Sequence, residues 1–578
     1  MFKKQLVLIL IILLITPSIA ASNELFKLNC NFKKMSLDPT EEIINGRRFL
    51  WISPELPAPE GGYPVLFVLH GATQYAETWF KDGKGGIKGS FIWGKRQTNF
   101  VEDALSKGFF IIAPDSIRPL KVGPKAWDSP TSDFNQSKDL PFIKDILDWL
   151  TNSSLSINSS RLFCIGFSSG AFMTSRIGQY FYKEFKAIAV HSGGNADIFN
   201  IEGLHHEFDI SSDINISENH PPTLIIHGNK DRIVPVKAAK HYYSDLQDAG
   251  VKSILLLNSV GVHIWQSTFN EDILDWFSFG HEVPLPPTQP LDGPGGSNYS
   301  HNKVVKSRYG RGENQYWIFE PAEPTPEIAP LIVFNHGWSG LYPRFYNAWI
   351  EHIVKRGNIV VFPRYQRGIV IGFRSFSENA INAVKNAIVE LQNGDHVNPD
   401  LDKFAITGHS LGGGITANMA ARALEENLPI PKAIMPVQPA IAFDEKADFS
   451  EISNTTLMIV IVGEDDTVVG NGSGKIIFYN STKISFTQKD FIIQTTDDYG
   501  YPIISSDHMA PTCEINNSML KIDAMDFYSN WKLFDALTDY AFYGFNEEFC
   551  FGNTPEQRFM GNWTDGNAVK ELIVTDSP

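Results

Sequence analysis

"FAITGHSLGGG" spans residues 404–414, and "LFCIGFSSGAF", built to the same plan, spans residues 162–172. Each runs a short apolar stretch into a serine set between glycines, Gly408-His409-Ser410-Leu411-Gly412 and Gly166-Phe167-Ser168-Ser169-Gly170. One such pentapeptide is weak evidence, because chance alone supplies roughly 0.2 matches in a chain of this size. The context is stronger: in both cases a strand-like run precedes the serine and a helix-forming stretch follows, "GITANMAARALEE" and "AFMTSRIGQYF". A sharp strand-to-helix turn leaves no room for side chains on either side of the serine. The glycines are therefore required, and the hydroxyl stands exposed near the positive end of a helix.

Working outward, the runs on either side repeat in the same order. "YPVLFVLHG" (63–71), "GFFIIAPDS" (108–116), "RLFCIGFS" (161–168), "FKAIAVHSG" (185–193), "PTLIIHGNKD" (222–231) and "SILLLNS" (253–259) read as strands of the first half. "APLIVFNHGWSG" (329–340), "GNIVVFPRYQ" (357–366), "KFAITGHS" (403–410), "KAIMPVQPA" (432–440), "TLMIVIVGEDD" (456–466) and "DFIIQTTDDYG" (490–500) repeat the series. Strand-type runs alternating with longer amphipathic segments predict α/β architecture: two domains, each a mostly parallel sheet flanked by helices. Between them, "HEVPLPPTQPLDGPGGSNYSHN" is rich in Pro, Gly and Ser and reads as an extended linker. The expected organisation is a leader over 1–20, a first domain over 21–280, a linker over 281–302 and a second domain over 303–578.

A serine hydroxyl is a poor nucleophile until a base removes its proton, and the base needs a carboxylate to fix its tautomer. Downstream of Ser168, Asp231 follows one strand and His263 the next; downstream of Ser410, Asp466 and His508 occupy the same places. Asp465 competes with Asp466, but Gly228-x-x-Asp231-x-x-Val234 aligns with Gly463-x-x-Asp466-x-x-Val469, which favours Asp466. Acyl transfer also needs backbone N–H donors for the developing oxyanion, worth roughly 3 kcal/mol each. The residues after the nucleophiles, Ser169 and Leu411, supply one apiece. The loops His70-Gly71-Ala72 and His336-Gly337-Trp338 offer the amides of Ala72 and Trp338.

These elements, in the chain order Ser, Asp, His, are those of an α/β-hydrolase. Through "LFVLHGAT", "IGFSSGAFMT", "IIHGNKDRIVP" and "GVHIW", residues 45–275 resemble the secreted polyhydroxybutyrate depolymerase and feruloyl esterase group. That resemblance implies a substrate-side role for Trp265, two residues after His263. Ser169-Gly170-Ala171 departs from the Ala-Gly that often follows the nucleophile in the group. Through "FNHGWSG", "TGHSLGGG", "VGEDDTVV" and "SSDHMAP", residues 305–550 resemble dienelactone-hydrolase-like and polyester-hydrolase-like serine hydrolases. Dienelactone hydrolases proper use cysteine, so Ser410 argues against that particular reaction. The expected function is a secreted serine carboxylic-ester hydrolase. Its substrate would be an extracellular and possibly polymeric ester: polyester, feruloyl or acetyl polysaccharide, or lipid ester. The alternatives are a serine peptidase, or one active domain beside a non-catalytic binding domain. The chemistry asks for no cofactor and no metal.

Composition agrees with a globular protein of 578 residues, 43% hydrophobic and 20% charged. The start, "MFKKQLVLILIILLITPSIAAS", has two lysines, an apolar run from Leu6 to Ile15 and a small-residue site ending at Ala20, the pattern of a cleaved signal peptide. The run is shorter than a membrane span, so no stable anchor is expected. Loss of Lys3 and Lys4 takes the net charge from −16 to about −18, which disfavours nucleic acid as a partner. Oligomeric state is not encoded in these patterns. Of four cysteines, Cys164 sits in a predicted strand as a buried thiol, Cys513 and Cys550 are expected to form a disulfide, and Cys30 has no evident partner. Ten Asn-x-Ser/Thr sequons between Asn135 and Asn562 become glycans if the chain meets a glycosylation machinery. His205-His206-Glu207 lacks zinc-type spacing. Trp79 and Trp93 are read as core aromatics in preference to a sugar- or aryl-binding wall.

Overall fold

The computed structural model describes residues 37–81, 91–117, 126–202, 205–208, 216–368, 375–441, 444, 446–513 and 522–578. The leader over 1–20 and Cys30 lie outside the described residues, as do the side chains of Trp93 and of His205, His206 and Glu207. Residues 39–578 form one compact unit.

The first half folds around an eight-stranded sheet. Its strands are β1 (Thr40–Ile44), β2 (Arg47–Ile52), β3 (Tyr63–Leu69), β4 (Phe110–Pro114), β5 (Ile157–Phe167), β6 (Phe185–His191), β9 (Thr223–Gly228) and β10 (Ser253–Asn258). A separate hairpin pairs β7 (Phe199–Glu202) with β8 (His205–Phe208). The sheet order is β1-β2-β4-β3-β5-β6-β9-β10, antiparallel at β1/β2 and β2/β4 and parallel from there on.

The second half repeats the plan with β11 (Lys303–Tyr309), β12 (Tyr316–Ala322), β13 (Ile328–Asn335), β14 (Ile359–Pro363), β15 (Asn398–His409), β16 (Ala433–Val437), β17 (Leu457–Gly463), β18 (Lys489–Gln494) and β19 (Ile573–Thr575). Its order is β11-β12-β14-β13-β15-β16-β17-β18-β19, with β19 added antiparallel at the far edge. Both sheets are mixed and mostly parallel, with the helices of an α/β-hydrolase fold against them.

Alternation along the strands explains why helices cover both faces. Leu331 and Val333 of β13 pack with Ile381 and Val384 of the helix Phe376–Asn393 and with Ile415 of the helix Leu411–Arg422. Their neighbours Ile332 and Phe334 point the other way, onto Trp349 of the helix Asn347–Lys355 and Leu533 and Phe534 of the helix Lys532–Tyr543. A parallel strand buried on both faces reads as a continuous apolar run, which is why these segments stand out in the sequence. In the first sheet, every residue of β3 is buried for the same reason.

The stretch 281–302 has no helix or strand of its own, yet it is held against the second half. The Pro284 carbonyl accepts from the Tyr501 amide (2.9 Å) and the Leu285 carbonyl from the Thr564 amide (3.0 Å). The Tyr528 hydroxyl donates to the Thr288 carbonyl (3.1 Å) and the Gly295 amide to Asp535 Oδ2 (2.7 Å). Tyr501 also reaches the first half, donating its hydroxyl to the Asp272 carbonyl (2.9 Å) and setting its ring edge-on to Phe279.

The expected Cys513–Cys550 disulfide does not form. Both are buried free thiols: Cys513 Sγ lies 3.2 Å from the Arg344 carbonyl, and Cys550 Sγ lies 3.4 Å from that of Glu547. One lies on the loop after His508 and the other on the turn after the last long helix, and each sulfur is spent on a nearby carbonyl. Cys164 is the buried thiol expected, its burial pushing it up to about 12.

Asp535 is the knot that fastens the linker, because its Oδ2 also accepts from His352 Nε2 (2.8 Å) and lies 3.2 Å from Arg356 Nε. Asp535→Ala removes the acceptor of the Gly295 amide and of His352 Nε2, while Arg356 keeps Asp539 (3.2 Å), and is expected to lower stability by about 1–3 kcal/mol. The urea midpoint measures this, and an unshifted midpoint would mean the knot contributes nothing.

Candidate active sites

Each site is assembled at the carboxyl edge of its sheet from three loops. Ser168 follows β5, Asp231 follows β9 and His263 follows β10; Ser410 follows β15, Asp466 follows β17 and His508 follows β18. The serines sit at φ 55°, ψ −117° and φ 58°, ψ −122°, a conformation that a residue with a side chain adopts only under strain. The flanking glycines make the turn possible. A Cβ on Gly166 would lie 2.0 Å from the Gly170 carbonyl oxygen, and one on Gly170 2.3 Å from that of Leu69. On Gly412 it would lie 2.2 Å from the Asn335 oxygen.

The aspartate loops use the same device. Gly228 lies so close to the histidine loop that a Cβ would meet the Gly261 oxygen at 2.4 Å, and Gly463 would meet that of Ser506 at 2.0 Å. Each glycine thus lets the acid loop close on the backbone two residues before the histidine.

The structure brings together both sets of expected residues. In the first site His263 Nδ1 lies 2.6 Å from Asp231 Oδ2, and Ser168 Oγ lies 2.8 Å from His263 Nε2. In the second, His508 Nδ1 lies 2.8 Å from Asp466 Oδ2, and Ser410 Oγ lies 2.9 Å from His508 Nε2. With each Nδ1–H donating to the carboxylate, Nε2 is left as the acceptor for the serine proton. The second carboxylate oxygen is fixed by the backbone: Asp231 Oδ1 accepts from Ile233 and Val234 (2.9 Å each), and Asp466 Oδ1 from Val468 and Val469 (3.0 Å each). Burial opposes ionisation of both acids, but the histidine bond and charge and these two amides outweigh it, holding each carboxyl below its ordinary range. Asp465 belongs elsewhere, accepting from the Thr496 hydroxyl.

Ser169 and Leu411 are the first residues of the helices Ser169–Tyr180 and Leu411–Arg422, where an N–H has no partner within the helix. Ala72 and Trp338 lie on the loops after β3 and β13, and a Cβ on Gly337 would come within 3.3 Å of Ser410 Cβ. Trp265 is placed differently from a residue that meets substrate. It is 2% exposed, stacked on His191 at 4.4 Å and packed against Trp79 and Phe100, with its N–H on Asn270 Oδ1 (2.9 Å). It forms a floor under the His263 loop, and Trp79 is a core residue with it. Among the described residues, no group of three His, Cys, Asp or Glu is arranged to hold a metal, and no helix is long and apolar enough to cross a membrane.

Several neighbours were not foreseen. Trp127 donates its backbone N–H to Ser169 Oγ (3.1 Å) and its indole N–H to the His70 carbonyl (2.8 Å). Gln438 Nε2 holds the Asp507 carbonyl beside His508 (2.8 Å), and Gln74 and Tyr346 each take an amide of the glycine loops. Gln438 lies inside a run read as a strand, where the structure ends β16 one residue before it, at Val437.

The class defined by this fold and geometry is that of α/β-hydrolases with serine-type sites. The profile of the chlorophyllase family matches residues 304–463. The chain is similar to a poly(3-hydroxyoctanoate) depolymerase of Pseudomonas fluorescens, 26% identical over 257 residues, covering 44% of this chain and 86% of that protein. It is also similar to a probable dipeptidyl-peptidase 5 of Emericella nidulans, 23% identical over 248 residues, but spans only 31% of that protein's length and 37% of its own. A solved acylaminoacyl peptidase from Pyrococcus horikoshii aligns with a TM-score of 0.32 and 15% identity over 42% of this chain and 41% of that one.

Two outcomes follow from the geometry. Gly412→Ala must displace the end of β13 or the helix, so it is expected to abolish covalent labelling of Ser410 and leave Ser168 labelled; full labelling of both would contradict the close approach. The second concerns acid. Burial holds His336 and His220 down to about 4 and His409 to about 3, and it pushes His191 well below its ordinary range. The unfolded chain, whose imidazoles titrate near 6.5, then binds more protons, so stability falls as pH drops from about 6.5 toward 4. The lowered carboxyls of Asp231 and Asp466 add stability above their ordinary value and lose it only as pH falls through their depressed ones, below about 4. Asp139, Asp490, Asp526 and Asp539, whose carboxyls burial pushes up, pull the other way, so the histidine part is read from urea midpoints of the parent and of His220→Phe between pH 7 and 4, and equal slopes would contradict neutral burial of His220.

Proposed function

We propose that the protein is a serine carboxylic-ester hydrolase with two working sites. The observation that carries this is the duplicated relay: serine to imidazole at 2.8 and 2.9 Å, imidazole to carboxylate at 2.6 and 2.8 Å. Ser168 or Ser410 attacks the ester carbonyl carbon while His263 or His508 takes the hydroxyl proton at Nε2. The carbonyl oxygen becomes an oxyanion facing the amides of Ala72 and Ser169, or of Trp338 and Leu411. The imidazolium, oriented by Asp231 or Asp466, returns its proton to the departing alkoxide, which leaves as an alcohol. Water, deprotonated by the same imidazole, then splits the acyl-enzyme into free acid and serine.

The substrate class rests on the surroundings. Ile233, Val260 and Val262 are 60%, 40% and 47% exposed in the loops that carry Asp231 and His263, and Val468 is 40% exposed beside Asp466. An apolar collar of this kind suits esters with long acyl chains or a hydrophobic polymer surface. Likeness to the poly(3-hydroxyoctanoate) depolymerase supports the same choice, and the leader pattern over 1–20 supports export to an extracellular substrate. The dipeptidyl-peptidase likeness favours a second reading, hydrolysis of peptide amides by the same machinery.

Intact mass after saturating fluorophosphonate treatment is expected to show two adducts, and one each in Ser168→Ala and Ser410→Ala. Asp231→Asn in the Ser410→Ala background, and Asp466→Asn in the Ser168→Ala background, are each expected to lower kcat about 10⁴-fold. p-Nitrophenyl octanoate is expected to be cleaved faster than the acetate. Cleavage of aminoacyl anilides with no ester turnover would replace the esterase reading by the peptidase one.

A further inference from the structure

We propose that Gln74 and Tyr346 are positioning residues doing one job with different chemistry: each pins the glycine amide of the oxyanion turn, so that the next amide is presented to the substrate. The inference rests on the ester-hydrolase reading above.

Both turns have the same backbone. The Gln74 amide donates to the Gly71 carbonyl (3.2 Å) and the Gly340 amide to that of Gly337 (3.0 Å), closing four-residue turns. Their third residues, Thr73 and Ser339, have φ +67° and +64°, the sign a type II turn requires at that position. Such a turn uses the carbonyl of its first residue and the amide of its fourth. It leaves the amides of the first three residues to be assigned by the surroundings, and in the second turn that of Ser339 goes to Gln366 Oε1 (2.9 Å).

The side chains make that assignment. The Gly71 amide donates to Gln74 Oε1 (2.7 Å), and the Gly337 amide donates to Tyr346 Oη (2.9 Å). With the glycine amide held, each turn keeps the register in which its second residue, Ala72 or Trp338, carries the amide assigned above to the oxyanion.

The pins differ in what lies behind them. Gln74 Nε2 donates onward to Gln97 Oε1 (3.0 Å), on the helix Phe91–Ser106. Tyr346 Oη lies 2.9 Å from His409 Nδ1, the residue before the nucleophile. Burial, joined by the nearby His508, keeps His409 neutral and hence able to accept the phenol proton. The second site thus ties its oxyanion turn to its own nucleophile strand through Gly337, Tyr346 and His409. Phe167 stands at the equivalent place in the first site and offers no acceptor.

The test uses the full chain with one nucleophile removed. In Ser168→Ala, where turnover reports on Ser410, Tyr346→Phe deletes only the hydroxyl. We expect kcat on p-nitrophenyl octanoate to fall at least tenfold with KM changed less than twofold, and hydrogen exchange across 336–342 to accelerate at least tenfold. In Ser410→Ala, Gln74→Leu is expected to do the same for 70–76, and Gln74→Glu, which keeps an acceptor oxygen, to restore most of the rate. Unchanged exchange across a turn overturns its pin, whatever turnover does. Faster exchange with unchanged kcat overturns the link to catalysis. A single Ser168→Ala or Ser410→Ala protein that is already inactive would instead count against the ester-hydrolase reading of the surviving site, and exchange would still decide the pin.

Discussion

The contact on which both sites depend is that of a glycine α-carbon against the carbonyl oxygens at the end of the neighbouring strand. Gly412 lies on Asn335 and His336, and Gly170 on Leu69 and His70. That approach sets the helix directly on the strand beside it and forces the serine into positive φ. It also brings the oxyanion loop, which begins at those same carbonyls, to the nucleophile. A strained residue of this kind costs about 1–3 kcal/mol, and it persists only because the surrounding packing leaves the chain no alternative. Parallel strands buried on both faces supply that packing.

The two halves show which parts of such a site belong to the backbone and which to side chains. The elbow dihedrals, the glycine turns, the acid-loop glycines and the paired amides on each carboxylate are reproduced almost number for number. Side chains behind them are not. Gln74 stands in for Tyr346, Phe167 for His409, and the buried His227 of β9, bonded to the Val234 carbonyl at 2.9 Å, has Val462 as its counterpart in β17. A conserved path of the main chain can therefore be held by quite different supports.

That division also explains what could be read beforehand. Twelve apolar runs mark the central strands, since strands buried on both faces are unbroken in hydrophobicity. The outer antiparallel strands β1, β2, β11 and β12 passed unnoticed; β1 and β11, "TEEII" and "KVVKSRY", are half exposed and carry charges among their apolar residues. Each Ser, Asp and His was legible because strand order fixes where it must lie. Tyr346, nine residues beyond Gly337 and at the start of a helix, has no such signal. Proximity near the chain end suggested a bond between Cys513 and Cys550, but nearness in sequence does not bring two side chains to one place. Trp265 was given a substrate-side role through the resemblance of its "GVHIW" loop, and a resembling loop does not say which way a ring faces.

Tyr501 lies on the excursion between β18 and His508, where Asp497 bridges back to Ile504. Its hydroxyl is bonded to the Asp272 carbonyl and its ring is set against Phe279, both in the first half, and its amide is bonded to the Pro284 carbonyl. The loop that delivers the second histidine is thus propped by residues made some two hundred positions earlier. On a ribosome, the buttress emerges before the span that needs it. The second site is the last to be completed, and a chain whose amino-terminal half has misfolded would carry its second histidine on an arm that has lost one of its props, keeping those from Gln438, Trp563 and Lys570.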